Sequence, residues 1–545
     1  MALTSKIQKT ARIQNLATKT YLERIEFRTS DSQTVAIELA PSVINDPRVF
    51  SKHLRDAGAI LPANKRVLRS LLENIAASTA KRELQYASQP GWTEDRRTFV
   101  RTSGAIGRDK KRILGFRRSN EDDLRGMVSH EGTIEQWKKA IATPAKHSTI
   151  LMFSIAAAFS APVLSLLERG SFGFVLFSPS RTGKTLATVF AGSVIGLGSD
   201  SAILTWNLTD ARLQELLAEF NDSLTPIDDM MNMKGSERDR YTRIKSLAYI
   251  MAAGSGTGRH SSFERNARRW TSIILTSNEF SVLELATRAG TEREQGETIR
   301  LIDLPATYDN APDIFDLPPP NLSTGERTIW SKKMFDELYS SCLRQHGFVF
   351  DNFVSLLASY GPGLRKDLTA LMQEFEELVR DEADGNLARD LASKLGAVYA
   401  AGLLAIRFDL LPWKTKQLRD VLQRCYFASR DLLPDPGRTL RSGRSLLRSF
   451  LMALPTAEQL KNGDCITADG FSEKRTSHYR CLVKREKFNA IFSSDKQRRA
   501  VTEQLVAEKI ITTAANSREP KSQHIWPDGQ RYRSIEISWP RIARR

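Results

Sequence analysis

Cysteine is scarce. The 545 residues contain four, Cys342, Cys425, Cys465 and Cys481, and none stands in C-x-x-C spacing. That argues against zinc ribbons, zinc fingers and a disulfide framework, and it suits a reducing cytoplasm. The N-terminus, "MALTSKIQKTARIQ", has no apolar signal core. Internal repeats and long low-complexity tracts are missing too. Acidic residues are in deficit: 63 Asp and Glu stand against 80 Lys and Arg, a formal charge of +17. Such an excess favours an anionic partner, nucleic acid above all.

Long hydrophobic runs are missing with one exception, "TILMFSIAAAFSAPVLSLL" at 149–167. It is about long enough to span a bilayer. Ser154, Ser160, Pro162 and Ser165 interrupt it, so the expectation is a helix packed in a protein core.

What is present fits a globular chain of three or four domains, with 41% hydrophobic and 26% charged residues. Residues up to about 30 are basic and expected to be loosely held. "QTVAIELAP" alternates like a strand, "RVLRSLLENIAAST" has helical spacing, and "GWTEDRRTFVRTSGAIG" reads as a hairpin. Residues 1–110 are therefore expected to form a small α+β domain. Thr133 is placed to cap the helix of "GTIEQWKKAIATP". From there short apolar strands alternate with helices, the pattern of an α/β core over 111–320. "NAPDIFDLPPPNLSTGE" reads as a linker, 321–435 as a helical region, and "PDPGRTLRSGRS" as a second linker. In 446–545 a helix over "KQRRAVTEQLVAEK" precedes strand, turn and strand. That is the outline of a winged helix, and equally of a structural helix–hairpin cap.

The chemistry centres on "FVLFSPSRTGKTLA", 174–187. A phosphate-binding loop reads G-x-x-x-x-G-K-[ST] between a strand and a helix. Here the loop is Ser178, Pro179, Ser180, Arg181, Thr182, Gly183, Lys184 and Thr185, with serine in place of the first glycine. A positive φ at Ser178 would strain it. Lys184 is placed to meet the β- and γ-phosphates of ATP, and Thr185 to ligate Mg²⁺. "NDSLTPIDDM" supplies a short apolar stretch ending in Asp228, a further Mg²⁺ group. Asp229 follows, one methylene shorter than the glutamate that polarises water in related ATPases. "WTSIILTSNEF" ends a strand in Asn278, suited to hold the water or the γ-phosphate. Arg300 stands directly before the apolar run 301–304, where an arginine could face a neighbouring subunit's γ-phosphate; Arg288 and Arg293 compete for that role. In "AAGSGTGRHSSFERNARRW", Arg259, His260, Arg265, Arg268 and Arg269 form a basic loop that could track a phosphate backbone.

In this order the motifs, from "GWTEDRRTFV" through "GTIEQWKKAIA", "FGFVLFSPSRTGKTLA", "NDSLTPIDDM", "AAGSGTGRH" and "LTSNEF" to "GETIRLIDLPA", resemble the domain-of-unknown-function 927 family. Its members resemble AAA+/superfamily III-type helicases of phages, plasmids and integrated elements. The resemblance spans about 85–430. It implies a P-loop, AAA+-like core, a helical lid and an oligomeric, hexameric ATPase acting on DNA. It matches Lys184 and Thr185 to the nucleotide loop, Asp228 and Asp229 to the acidic pair, Asn278 to the strand-tip sensor and Arg300 to the arginine finger. Arg389 is more loosely matched to a sensor of bound nucleotide. No primase-like segment precedes the core, so a separate primase is expected. Two functions follow from this reading: a DNA helicase or translocase of a mobile element, or an ATP-binding DNA initiator that turns over poorly.

Overall fold

The computed structural model describes residues 6–117, 126–256, 268–382, 384–434, 436–462, 469–476, 478–492, 495–513, 523–527 and 529–540. The chain sorts into two compact units, 1–380 with 389–432, and 381–388 with 433–545.

The first unit opens with β1 (Gln8–Asn15), β2 (Tyr21–Arg28), β3 (Thr34–Leu39) and β4 (Arg82–Tyr86). The expectation that residues up to about 30 are loosely held is thus wrong. β1 hides its strand period behind a lysine. Lys9, Ala11 and Ile13 point inward, and the Lys9 ammonium is neutralised by Glu23 at 2.7 Å while donating to the Ala76 carbonyl. An antiparallel meander follows, β5 (Gly91–Trp92), β6 (Thr98–Arg101) and β7 (Gly104–Gly107), where a hairpin was expected. Next, β8 (Ile113–Gly115) closes the first sheet in the order β3-β2-β1-β4-β8.

The meander is bolted to the core. The Trp92 amide and the Ser165 hydroxyl donate to Asp222, and the Trp92 indole donates to the Pro162 carbonyl at 2.8 Å. Gly91, at φ 96°, lies so close to Asn221 and Asp222 that a Cβ would collide with both. Arg101, 5% exposed, pairs with Asp351 and donates to the carbonyl of Ile195.

The second sheet is parallel throughout: β9 (Phe172–Phe177), β10 (Leu204–Thr205), β11 (Leu224–Asp228), β12 (Ile273–Asn278) and β13 (Leu301–Pro305), in the order β10-β11-β12-β9-β13. Two-residue β10 is too short to show a pattern in the sequence. Helix Thr149–Leu166, capped by Ser148, packs on this sheet and on helix Lys184–Ile195. Among the described residues it alone is long and apolar enough to cross a membrane, and 94% of it is buried in the protein. Each large apolar side chain hidden there contributes about 1.5–3 kcal/mol. Helices Thr324–Arg344, Phe348–Ser359, Leu364–Leu378, Asn386–Arg407 and Thr415–Arg430 form the expected helical region. The first "linker" is built into the core. The Asp316 side chain is buried, receives both the amide and the hydroxyl of Thr149, and pairs with Arg424 at 3.2 Å.

In the second unit, β14 (Gly470–Lys474), β15 (His478–Lys484), β16 (Gln523–Ile525) and β17 (Arg531–Pro540) form an antiparallel sheet in the order β14-β15-β17-β16. The expected helix is present at Asp495–Ala507, with Val501 and Leu505 fully buried. The sheet is broader than a single wing, because β17 pairs with β15 along seven positions. The second "linker" is the start of helix Pro436–Met452. Pro436 suits a first helical position, and Gly443 lets this helix approach Val501 and Gln497. Glycine signals a close helix crossing here, not a loop.

Asp222→Ala would strand buried donors at Trp92 and Ser165, and should cost roughly 2–3 kcal/mol in urea unfolding. Burial pushes the Asp222 carboxyl up from 3.8 to about 6. Its protonated form therefore favours folding below the ordinary value, and that contribution is lost as pH rises through the folded value. The deficit of Asp222→Ala should be larger at pH 4 than at pH 7; an equal deficit would contradict this assignment.

Candidate functional site

The C-terminal ends of β11, β12 and β9 stand side by side at one edge of the parallel sheet. Phe177, the last residue of β9, is level with Asn278, and Ile227 with Thr276. The chain leaves β9 into the loop 178–183 and re-enters structure as helix Lys184–Ile195. That helix has no side-chain cap; Gly183, at φ 108°, precedes it. Its first amides are turned toward the loop without a side-chain acceptor, which is what an anion at a helix N-terminus uses.

Ser178 does not carry the strain its position threatened, for its φ is negative. The left-handed residue is Arg181, at φ 64°, exposed on the loop. The Ser178 hydroxyl, buried, hydrogen-bonds the Thr182 hydroxyl across the turn. The serine thus holds the loop from inside. Thr182 donates to the Pro179 carbonyl at 3.0 Å, and its own carbonyl accepts the Ile314 amide, also at 3.0 Å. A side chain at Gly183 would strike Phe335 and Ile314. The segment read as a linker therefore backs the loop.

The Lys184 ammonium donates to the carbonyls of Ser178, at 2.7 Å, and Pro179, at 2.8 Å. Burial pulls its pKa down, while Glu279, Asp229 and Asp228 act to raise it. Among the described residues the Thr185 hydroxyl makes no hydrogen bond. Asp228 accepts from the Ser277 hydroxyl at 2.7 Å, and that hydroxyl in turn accepts the Asp229 amide at 3.1 Å. One side chain on β12 thus fixes both acids. Asp229, at φ 49°, accepts from the Met231 amide at 2.9 Å. Burial pushes its carboxyl up, and the charges of Asp228 and Glu279 add to that. Asn278 is fully buried; its amide nitrogen donates to the Phe280 carbonyl and its side-chain oxygen has no partner.

Sequence reasoning missed Ser277 and Glu279. Both flank Asn278 in "TSNE", and an acid next to a polar strand tip was the available signal.

The arginines lie elsewhere. The carbonyl of Arg300 accepts the Gly173 amide at the opposite end of β9. About 13 Å of strand separates Gly173 from Phe177. The Arg300 guanidinium lies over the Tyr249 ring, 4.6 Å from its centroid, and donates to the Gly296 carbonyl. Arg389 is exposed in the first turn of helix Asn386–Arg407. Further along, Lys394 donates to the Ile299 carbonyl, so this stretch packs at the same far end. Neither arginine joins the loop within one chain. Arg293 is consumed by a buried pair with Asp303 and by the Leu301 carbonyl. Arg288 pairs with Glu284 at 2.8 Å and stacks on Phe280.

Of the basic segment, Arg259, His260 and Arg265 lie outside the described residues. On its flanks the Gly256 amide donates to the Arg268 carbonyl and the Trp270 amide to the Gly254 carbonyl, around an antiparallel bridge between Ser255 and Arg269. Arg269 is exposed, and Arg268 pairs with Glu215 at 2.9 Å.

A left-handed backbone costs a residue with a Cβ about 1–2 kcal/mol, part of which glycine gives back as chain entropy. Arg181→Gly should therefore leave thermal stability unchanged or raise it slightly. A loss of more than about 1 kcal/mol would show that the side chain, not the backbone, holds this turn.

The comparisons with known proteins agree with this geometry at the level of fold. A solved structure described as "SCCmec type IV Cch - active helicase" superposes with a TM-score of 0.53 at 14% identity, covering 98% of this chain and 94% of that one. A second, the apo C-terminal region of NrS-1, covers 77% of this chain and 91% of its own at 9% identity; its TM-score of 0.22 carries no weight. No curated protein matches. The family described as "Domain of unknown function (DUF927)" matches residues 1–269. That stretch begins earlier than the resemblance in the motifs and stops short of Asn278, Arg300 and Arg389. Residues 1–269, just under half of the chain, thus match the DUF927 family, and the fold is similar to that of the solved Cch structure.

Proposed function

We propose that this chain is an ATP-dependent DNA helicase or translocase of a mobile element, working as a homo-oligomeric ring. The observation that carries the reading is the meeting of loop 178–185, Asp228, Asp229 and Asn278 at three adjacent strand tips.

The loop fits a nucleotide. Uncapped helix amides and the Lys184 ammonium would take the phosphates of ATP. For Mg²⁺, a hydroxyl at Thr185 and a carboxylate at Asp228 are what a magnesium–nucleotide site asks of a protein, since phosphates and water fill the remaining positions. Among the described residues no cluster of three His, Cys, Asp or Glu side chains could hold a metal without them. When bound, the ion would neutralise charge on the phosphates.

Asp229 would take the proton of the attacking water; its raised affinity for a proton suits that task. Asn278, with its unpaired oxygen, would orient the water. Water adds to the γ-phosphorus as the bond to the β-phosphate oxygen breaks, and Lys184 would offset charge on the leaving ADP. Arg300 points away from its own loop, so it would complete the site of another copy. The basic segment 254–269 would grip one DNA strand through its phosphates.

A second reading rests on Asp229. Its carboxylate is engaged by the Met231 amide and is one methylene short, which favours an ATP-dependent assembly switch with slow turnover.

ATP hydrolysis with and without single-stranded DNA, beside Lys184→Ala, separates these. The helicase reading expects stimulation by DNA and at least a hundredfold loss, roughly, in the variant. ATP binding without hydrolysis on any DNA would leave only the assembly switch.

A further inference from the structure

Glu279 is an acid at the strand tips for which the proposed reaction has no use. It follows Asn278 at the end of β12, between the strand that carries the loop and the strand that carries the acids. The Ser180 hydroxyl donates to its carboxylate across the open side of the loop. Of the three acids acting on Lys184, Glu279 exerts the largest pull. Lys184 itself is turned back onto the Ser178 and Pro179 carbonyls. Ser180 is exposed and Glu279 half-buried, so the contact can open without disturbing the core.

We infer that Glu279 is a resident anion of the nucleotide loop: it holds Ser180 across the loop beside Lys184, and the β- and γ-phosphates of a nucleotide must displace it. The inference rests on the nucleotide-site reading. The chemistry is competition for one set of donors. A carboxylate and a phosphate oxygen are both anionic acceptors, and the Ser180 hydroxyl can donate to only one of them at a time. A nucleoside triphosphate or diphosphate has the groups to compete. A monophosphate, whose single phosphate need not enter this part of the loop, does not. Glu279 is thus a positioning residue that sets affinity for the phosphate chain.

The test is calorimetric binding of ATP, ADP and AMP to the full chain carrying Ser180→Ala. This substitution removes the contact without changing charge. Loss of the competing hydrogen bond should tighten ATP and ADP by about threefold to tenfold, with AMP unmoved. Glu279→Gln should tighten ATP and ADP in the same direction, and the double variant should gain little beyond either single one. If Ser180→Ala leaves ATP affinity unchanged or weakens it, the serine is a bystander or a phosphate ligand and the inference falls. Equal tightening of AMP would also overturn it, since the contact would then shape the loop generally. Lys184→Ala, measured alongside, keeps the two claims apart. If it leaves ATP binding intact, the nucleotide site itself is wrong; if it abolishes binding while Ser180→Ala stays neutral, only the role of Glu279 is.

Discussion

Everything at the candidate site depends on the placement of β12 between β11 and β9. The three strands are parallel and in register, so their C-terminal ends come level. One end delivers the loop, one the polar tip Ser277–Asn278, one the acidic pair. Ser277 then ties β12 to both acids through one hydroxyl. A one-residue slip of β12 would turn each of these side chains to the other face of the sheet. Both faces of β9, β11 and β12 are buried, so a slip would also force their packed apolar side chains into spaces shaped for others.

The electrostatics follow from this placement. One buried ammonium, Lys184, donates to two backbone carbonyls and lies in the field of three carboxylates. Burial works against its charge and the acids work for it. The loop therefore satisfies its cation with its own carbonyls, and under the proposed reading a phosphate would exchange partners with them. Asp229 sits on the other side of the same balance, its carboxyl raised by burial and by its acidic neighbours.

Much of this was legible in the residues. Runs such as "FGFVLF", "LTPID" and "LIDLP" are short, apolar and bounded by turns, and each is a strand. Close packing at Gly192 was also readable, since a Cβ there would press on Leu197 and Ile203. What escaped notice did so for physical reasons. β1 buries a lysine, so its alternation looked polar. "NAPDIFDLPPPNL" carries proline and asparagine like a linker, yet buried Ile314 backs the loop and the buried Asp316 side chain holds the core helix. "PDPGRTLRSGRS" is helical because proline can start a helix and glycine can serve its crossing. The strain foreseen at Ser178 falls on Arg181 instead. Ser277 and Glu279 stand beside Asn278 in the sequence, but their roles lie in contacts to β11 and to the loop, which the strand alone does not show.

The far end of the sheet poses the complementary question. Arg300, held by Tyr249 and Gly296, and Arg389, on a helix that packs at that end, are too distant to serve their own loop. An account in which the strand tips are a nucleotide site therefore needs a second copy to supply the arginine. The most direct test mixes two inactive variants, Lys184→Ala and Arg300→Ala, and measures ATP hydrolysis in the mixture. The account predicts recovered activity, because some interfaces then pair an intact loop with an intact arginine. If the mixture stays inactive, or if Arg300→Ala alone hydrolyses ATP like the wild type, the shared-site account is contradicted.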